Sequence, residues 1–154
     1  MILSWKLFEA HRDIITDCED ILNELNYDYQ NFKTEVKIVN ANSTSGIEMW
    51  KTMYWKNKGI TNDFLSVSIE KIEQISDNTY SQRRFEWGEI KETVFRIADY
   101  VGVDYSDIFV SFVPIGSYGN ITLDELENTP ASLYRLLDEM MIGKFSMEIK
   151  LPSL

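Results

Sequence analysis

Leu3 to Leu25, LSWKLFEAHRDIITDCEDILNEL, carries two stripes at helical spacing, and the rest of the chain has to be arranged around them. Leu3, Leu7, Ala10, Ile14, Cys18, Ile21, Leu22 and Leu25 fall on one side, as in a helix laid against a core. On the other side Glu9, Asp13, Asp17, Asp20 and Glu24 follow at steps of four, four, three and four, along roughly 22 Å of helix. Like charges so spaced cost an isolated helix about 0.2 to 0.5 kcal/mol per pair. Lys6 and Arg12 relieve only the Glu9 end, so the apolar stripe must be well buried for the helix to hold.

Beyond this helix the pattern changes to period two. Phe32, Thr34, Val36 and Ile38 alternate with Lys33, Glu35 and Lys37, which reads as a half-buried strand followed by a loop over residues 40–46. Residues 47–56 fit either a strand, with Ile47, Met49, Met53 and Trp55 on one face, or a helix grouping Ile47, Trp50, Met53 and Tyr54. The strand is preferred because it completes a three-strand meander with Leu65, Val67 and Ile69, a strand expected to reach Ile72 or Ile75. Residues 77–84 are polar and read as an excursion or a short extra strand. A helix is expected over 86–101, burying Ile90, Val94, Ile97, Ala98 and Val101 and stopped by Gly102.

The run Ile108 to Val113 is the candidate central strand. Thr122-Leu123-Asp124-Glu125 is a capping box, and Thr129-Pro130 opens a helix expected to reach Ile142 and to bury Leu133, Leu136, Leu137 and Met140. Gly143 stops it, and Phe145, Met147, Ile149 and Leu151 form a last strand. The expected architecture is a single α+β domain over residues 1–154. It has a mixed or antiparallel sheet of about five strands, and three main helices packed mainly on one face.

Twenty-five acidic against 15 basic side chains give a formal charge of −10, which disfavours direct binding to nucleic acid or an anionic membrane. Cys18 is the lone cysteine and lies on the apolar stripe, so it reads as a buried thiol, and no disulfide framework exists. His11 is the lone histidine, which leaves no histidine cluster for a metal. Gly116-Ser117-Tyr118-Gly119 matches no phosphate-binding pattern, and no cofactor is expected. Without an export-signal pattern or an 18-residue apolar run, the expected compartment is the cytoplasm.

Charge is unevenly spread along the chain. Residues 97–143 hold eight acids against Arg135 alone, and residues 13–32 hold six acids and no base. Residues 33–58 hold five lysines against Glu35 and Glu48, interleaved with Trp50, Tyr54 and Trp55. In size, acidity and lack of catalytic motif the chain resembles small inhibitors that neutralise nucleases: immunity proteins, antitoxins and phage anti-defence proteins. That resemblance implies a basic protein partner, such as a nuclease toxin or a nucleic-acid-binding defence protein, met by electrostatic complementarity. The expected contact residues are Glu9, Asp13, Asp17, Asp20 and Glu24, a second patch of Asp124, Glu125 and Glu127, and exposed members of Trp50, Tyr54 and Trp55. Two rivals stand beside it: a metal-dependent enzyme using carboxylates near Asp124–Glu127, and a non-catalytic subunit of an oligomeric assembly.

Overall fold

The computed structural model describes residues 2–26, 31–40, 55–113, 121–127 and 137–152, and the backbone alone for residues 2–11, 40 and 127. Its elements in chain order are α1 (Ile2–Leu22), a 3-10 turn (Asn23–Asn26), β1 (Phe32–Asn40), β2 (Asp63–Ser76), β3 (Thr79–Arg83), β4 (Phe85–Glu86), α2 (Lys91–Val101), β5 (Ile108–Phe112), β6 (Ile121–Thr122), α3 (Leu123–Glu127), β7 (Met141–Ile142) and β8 (Phe145–Lys150). Among the described residues six strands form one antiparallel sheet in the order β1-β2-β8-β5-β6, with β3 also on β2, while β4 and β7 make a small second sheet. The fold is α+β, as the order of periodicities implies.

The two-residue alternation decides which side of the sheet the helices cover. Leu65, Val67 and Ile69 of β2, Phe145, Met147 and Ile149 of β8 and Ile108, Val110 and Phe112 of β5 share one face, and all are buried. Cys18 and Leu22 of α1 and Val94, Ile97 and Ala98 of α2 close the same core from above. Each large side chain sealed in this way contributes about 1.5 to 3 kcal/mol, more than any like-charge pair on the helix surface takes away. Gly102, at φ 77°, ends α2 in the left-handed region and donates its N–H to the Ala98 carbonyl.

The structure departs from the sequence expectations at several elements. β1 pairs with β2 along its whole length, from Phe32 opposite Lys71 to Asn40 opposite Asp63, so residues 47–56 are not the middle strand of the meander. Its third strand is β3, in the polar stretch read as an excursion or a short extra strand, and the second of these is what forms. Residues 55–57 form a helical turn, and Trp55 is fully buried, stacked on Phe64 with ring centroids 4.0 Å apart on the sheet face away from α1 and α2. Residues 47–54 lie outside the described residues, as does the expected loop beyond residue 40.

The helix expected from Glu86 begins only at Lys91. Trp87 and Gly88 donate their N–H groups to the carbonyls of Met140 and Asp138, which draws this segment into pairing with β7 and its approach. For the same reason no helix reaches Ile142: Met141 and Ile142 are strand, and Leu137 and Met140, expected in the core, are exposed. Thr129, Pro130, Leu133 and Leu136 lie outside the described residues. The middle of the sheet belongs to β8 instead of β5, and its alternation hides a carboxylate. Glu148 is 2% exposed on the second face, between Ser66 and Phe109, and accepts the Ser146 hydroxyl at 3.2 Å.

Gly143 joins the two sheets by a close approach. Its N–H reaches the Val113 carbonyl at 2.8 Å, and a Cβ added there would stand 2.9 Å from the Val113 Cβ. Gly143→Ala is expected to lower stability by about 1 to 3 kcal/mol through overpacking, measured by urea unfolding. An unchanged transition midpoint would contradict the contact.

Candidate functional site

α1 and α2 lie side by side in opposite directions, and their shared seam is polar. Glu24, at the end of the α1 stripe, meets Arg96 of α2, and Asp17, two turns earlier, accepts the hydroxyl of Tyr100, one turn later in α2. Arg96 also reaches Glu92 at 3.2 Å, so Glu92, Arg96 and Tyr100 form a helical stripe on the α1 side. The acidic stripe of α1 is therefore aimed at the flank of α2, and two of its members are engaged by the chain's own fold. Asp13 and Asp20 are exposed and bond to no cation among the described residues, and the same holds for Glu19 beside them.

Past Tyr100 the acidic surface continues. Asp99 accepts the Tyr105 hydroxyl, and Asp99, Asp104 and Asp124 line a shallow pocket of about 530 Å³ together with Ala98, Gly102 and Tyr105. Asp124 belongs to α3, which packs against residues 105–107. The two patches expected from sequence are thus linked through the C-terminal end of α2. Glu125 serves a local purpose: its carboxylate takes the Thr122 hydroxyl at 3.2 Å while its N–H reaches Thr122 Oγ1 at 3.4 Å, the expected capping box.

Besides Arg12 of α1 and Lys91 and Arg96 of α2, the paired cations among the described residues belong to the sheet. Lys33 pairs with Glu70 at 4.0 Å, Lys37 with Glu35 at 3.2 Å, Arg83 with Glu73 at 3.8 Å, Lys71 with Glu89 at 3.1 Å and Lys150 with Asp107 at 3.4 Å, all on sheet strands. Such exposed pairs add little stability. Their effect is to remove carboxylates of the sheet side from the net field, leaving Asp13, Asp17, Glu19, Asp20, Asp99 and Asp104 on the helical side without a cationic partner among the described residues.

Of the expected contact residues, Asp13, Asp17, Asp20, Glu24 and Asp124 are on this surface. Trp55 is not an anchor, because it is sealed against Phe64. Trp50 and Tyr54, and the side chains of Glu9, His11 and Glu127, lie outside the described residues. Sequence reading missed Glu19, Tyr100, Tyr105 and Arg96. The i, i+4 spacing of Glu92, Arg96 and Tyr100, off the apolar face of α2, was the one available signal for two of them, Arg96 and Tyr100.

Among the described residues no three His, Cys, Asp or Glu side chains converge to hold a metal ion, and no helix is long and apolar enough to cross a membrane. No protein-family model, curated protein or solved structure matches the chain.

Burial, with the charges of Asp17 and Glu19 beside it, pushes the Cys18 thiol up to about 11. Native protein at pH 8 should resist a thiol-reactive dye that labels the unfolded chain, and fast native labelling would contradict the packing of α1. The Asp17 carboxylate, by accepting its hydroxyl hydrogen, holds Tyr100 up to about 12. Because that bond favours the protonated phenol, Asp17→Asn should bring Tyr100 down toward the ordinary value of about 10, followed by carbon NMR of the ring. A Tyr100 titration unmoved by the substitution would contradict the polar contact between α1 and α2.

Proposed function

We propose that the chain is a cytoplasmic protein-binding inhibitor whose helical face docks on a basic surface of its partner and occludes it. The observation that supports this reading is the gathering of Asp13, Asp17, Glu19, Asp20, Asp99 and Asp104 on and beside the two packed helices, none of them in an ion pair among the described residues, with Arg12, Lys91 and Arg96 as the cations of the same layer. Carboxylates fixed on helices keep their spacing when a partner arrives, so little order has to be created on binding. Their summed field speeds encounter with a positive groove and disfavours nucleic acid itself. A nuclease active site or a nucleic-acid channel is the kind of surface that carries such a groove, because it must hold phosphates.

Asp13→Lys/Asp17→Lys/Asp20→Lys tests the reading. A photo-crosslinking side chain at position 19 should capture a basic protein in the native host, and the triple variant should lose that capture while its circular dichroism is unchanged. With the captured protein purified, the variant's association rate should fall at least about tenfold at low salt, with a flatter salt dependence. Equal capture and equal rates in the two proteins would overturn the proposal.

A further inference from the structure

We propose that the chain pairs with a second copy of itself through the outer edge of β1, joining two six-stranded sheets into one. The N–H of Phe32 donates to Asn26 Oδ1 at 2.8 Å, and Asn26 Nδ2 donates to the Phe32 carbonyl at 2.9 Å, both on the side away from β2. Strand alternation then turns the N–H and C=O of Thr34, Val36 and Ile38 to that same outer side. Asn26 closes one end of the edge, and among the described residues no hydrogen bond takes up the outward groups of Thr34, Val36 and Ile38. An edge of this kind is a template for another strand.

The sequence of β1 specifies which strand. An antiparallel two-fold centred on Val36 sets Val36 against Val36 of the second copy and Thr34 against Ile38 of the second copy, with outward N–H and C=O groups in phase to bond. The neighbouring positions then bring Glu35 opposite Lys37 of the second copy, twice by symmetry. Within one copy Glu35 and Lys37 already pair at 3.2 Å on the same face, so the four charges alternate in sign around a square. On the other face Val36 and Ile38 are half-buried against the core, and the added strand covers what remains. β6, at the far edge, is two residues long. In β3 neither outward-facing residue, Tyr80 or Gln82, is flanked by opposite charges. The self-complementary charge pattern therefore belongs to β1 alone among the described edges.

Sedimentation velocity at about 0.15 M salt, where the screening length of about 8 Å mutes repulsion between the two acidic surfaces, should show 18.0 kDa monomer and its dimer in exchange over the micromolar range. Glu35→Lys or Lys37→Glu sets like charges opposite one another and should weaken self-association at least about tenfold. The doubly swapped variant Glu35→Lys/Lys37→Glu should regain it, and an equimolar mixture of the two single variants should form a mixed dimer. Hydrogen exchange of the wild type gives a reading free of any folding defect: the amides of Thr34, Val36 and Ile38 should slow as protein concentration rises. A wild type that stays monomeric throughout, or single variants that self-associate like it, or edge amides indifferent to concentration, would overturn the proposal. None of these substitutions touches Asp13, Asp17 or Asp20, so self-pairing and binding by the helical face are read separately.

Discussion

The apolar contact between two antiparallel helices and one face of the sheet is the interaction on which the other features depend. Cys18, Leu22, Val94, Ile97 and Ala98 meet Leu65, Val67, Ile69, Met147 and Val110 in a core from which water is excluded. Several such side chains, at about 1.5 to 3 kcal/mol each, outweigh repulsion of about 0.2 to 0.5 kcal/mol per neighbouring carboxylate pair. That margin lets α1 keep an acidic flank that an isolated helix of the same sequence would carry at a net loss. It also sets α2 where Arg96 and Tyr100 can engage Glu24 and Asp17, so part of the acidic load becomes a polar seam between the helices.

The same packing divides the molecule by charge. Helices on one face, and strands whose lysines pair with nearby carboxylates, leave Asp13, Glu19, Asp20, Asp99 and Asp104 on the helical side without an ion pair among the described residues. The continuity from Asp13 to Asp104 arises from tertiary placement, because residues 13–20 and 99–104 are brought together only when α2 turns back along α1. A partner reading this surface would meet oriented charges held by a rigid layer, which suits fast, salt-sensitive recognition.

How much of this was legible in the sequence varied with how local the cause was. α1, β1, β2, β5 and β8 were readable because each carries its own period over five or more residues, and Gly102 and the Thr122–Glu125 capping box announce themselves by residue type. The segments that misled are those whose structure is set by distant partners. Phe85 to Gly88 has helix-compatible spacing, yet Met140 and Asp138 capture its backbone as strand and turn. Trp55 stood among the candidate anchors because it lies among lysines, but Phe64 takes it into a second small core. Glu148 sat in a polar slot of an alternating strand, and only the sheet order, which puts β8 in the middle, shows that this slot is buried. The acidic stripe was legible in composition, whereas its partial neutralisation by Arg96 and Tyr100 was not.

The central claim, that negative potential is concentrated on the helical layer, is tested most directly by the residue-by-residue near-surface potential, obtained from NMR relaxation of backbone amides by cationic and anionic paramagnetic probes. The account predicts the most negative values at residues 13–20 of α1 and at residues 99–104, the C-terminal end of α2 and the turn after it, with values nearer zero along β1 and at the β2–β3 hairpin. A potential equally negative over the helices and the sheet edges would contradict it.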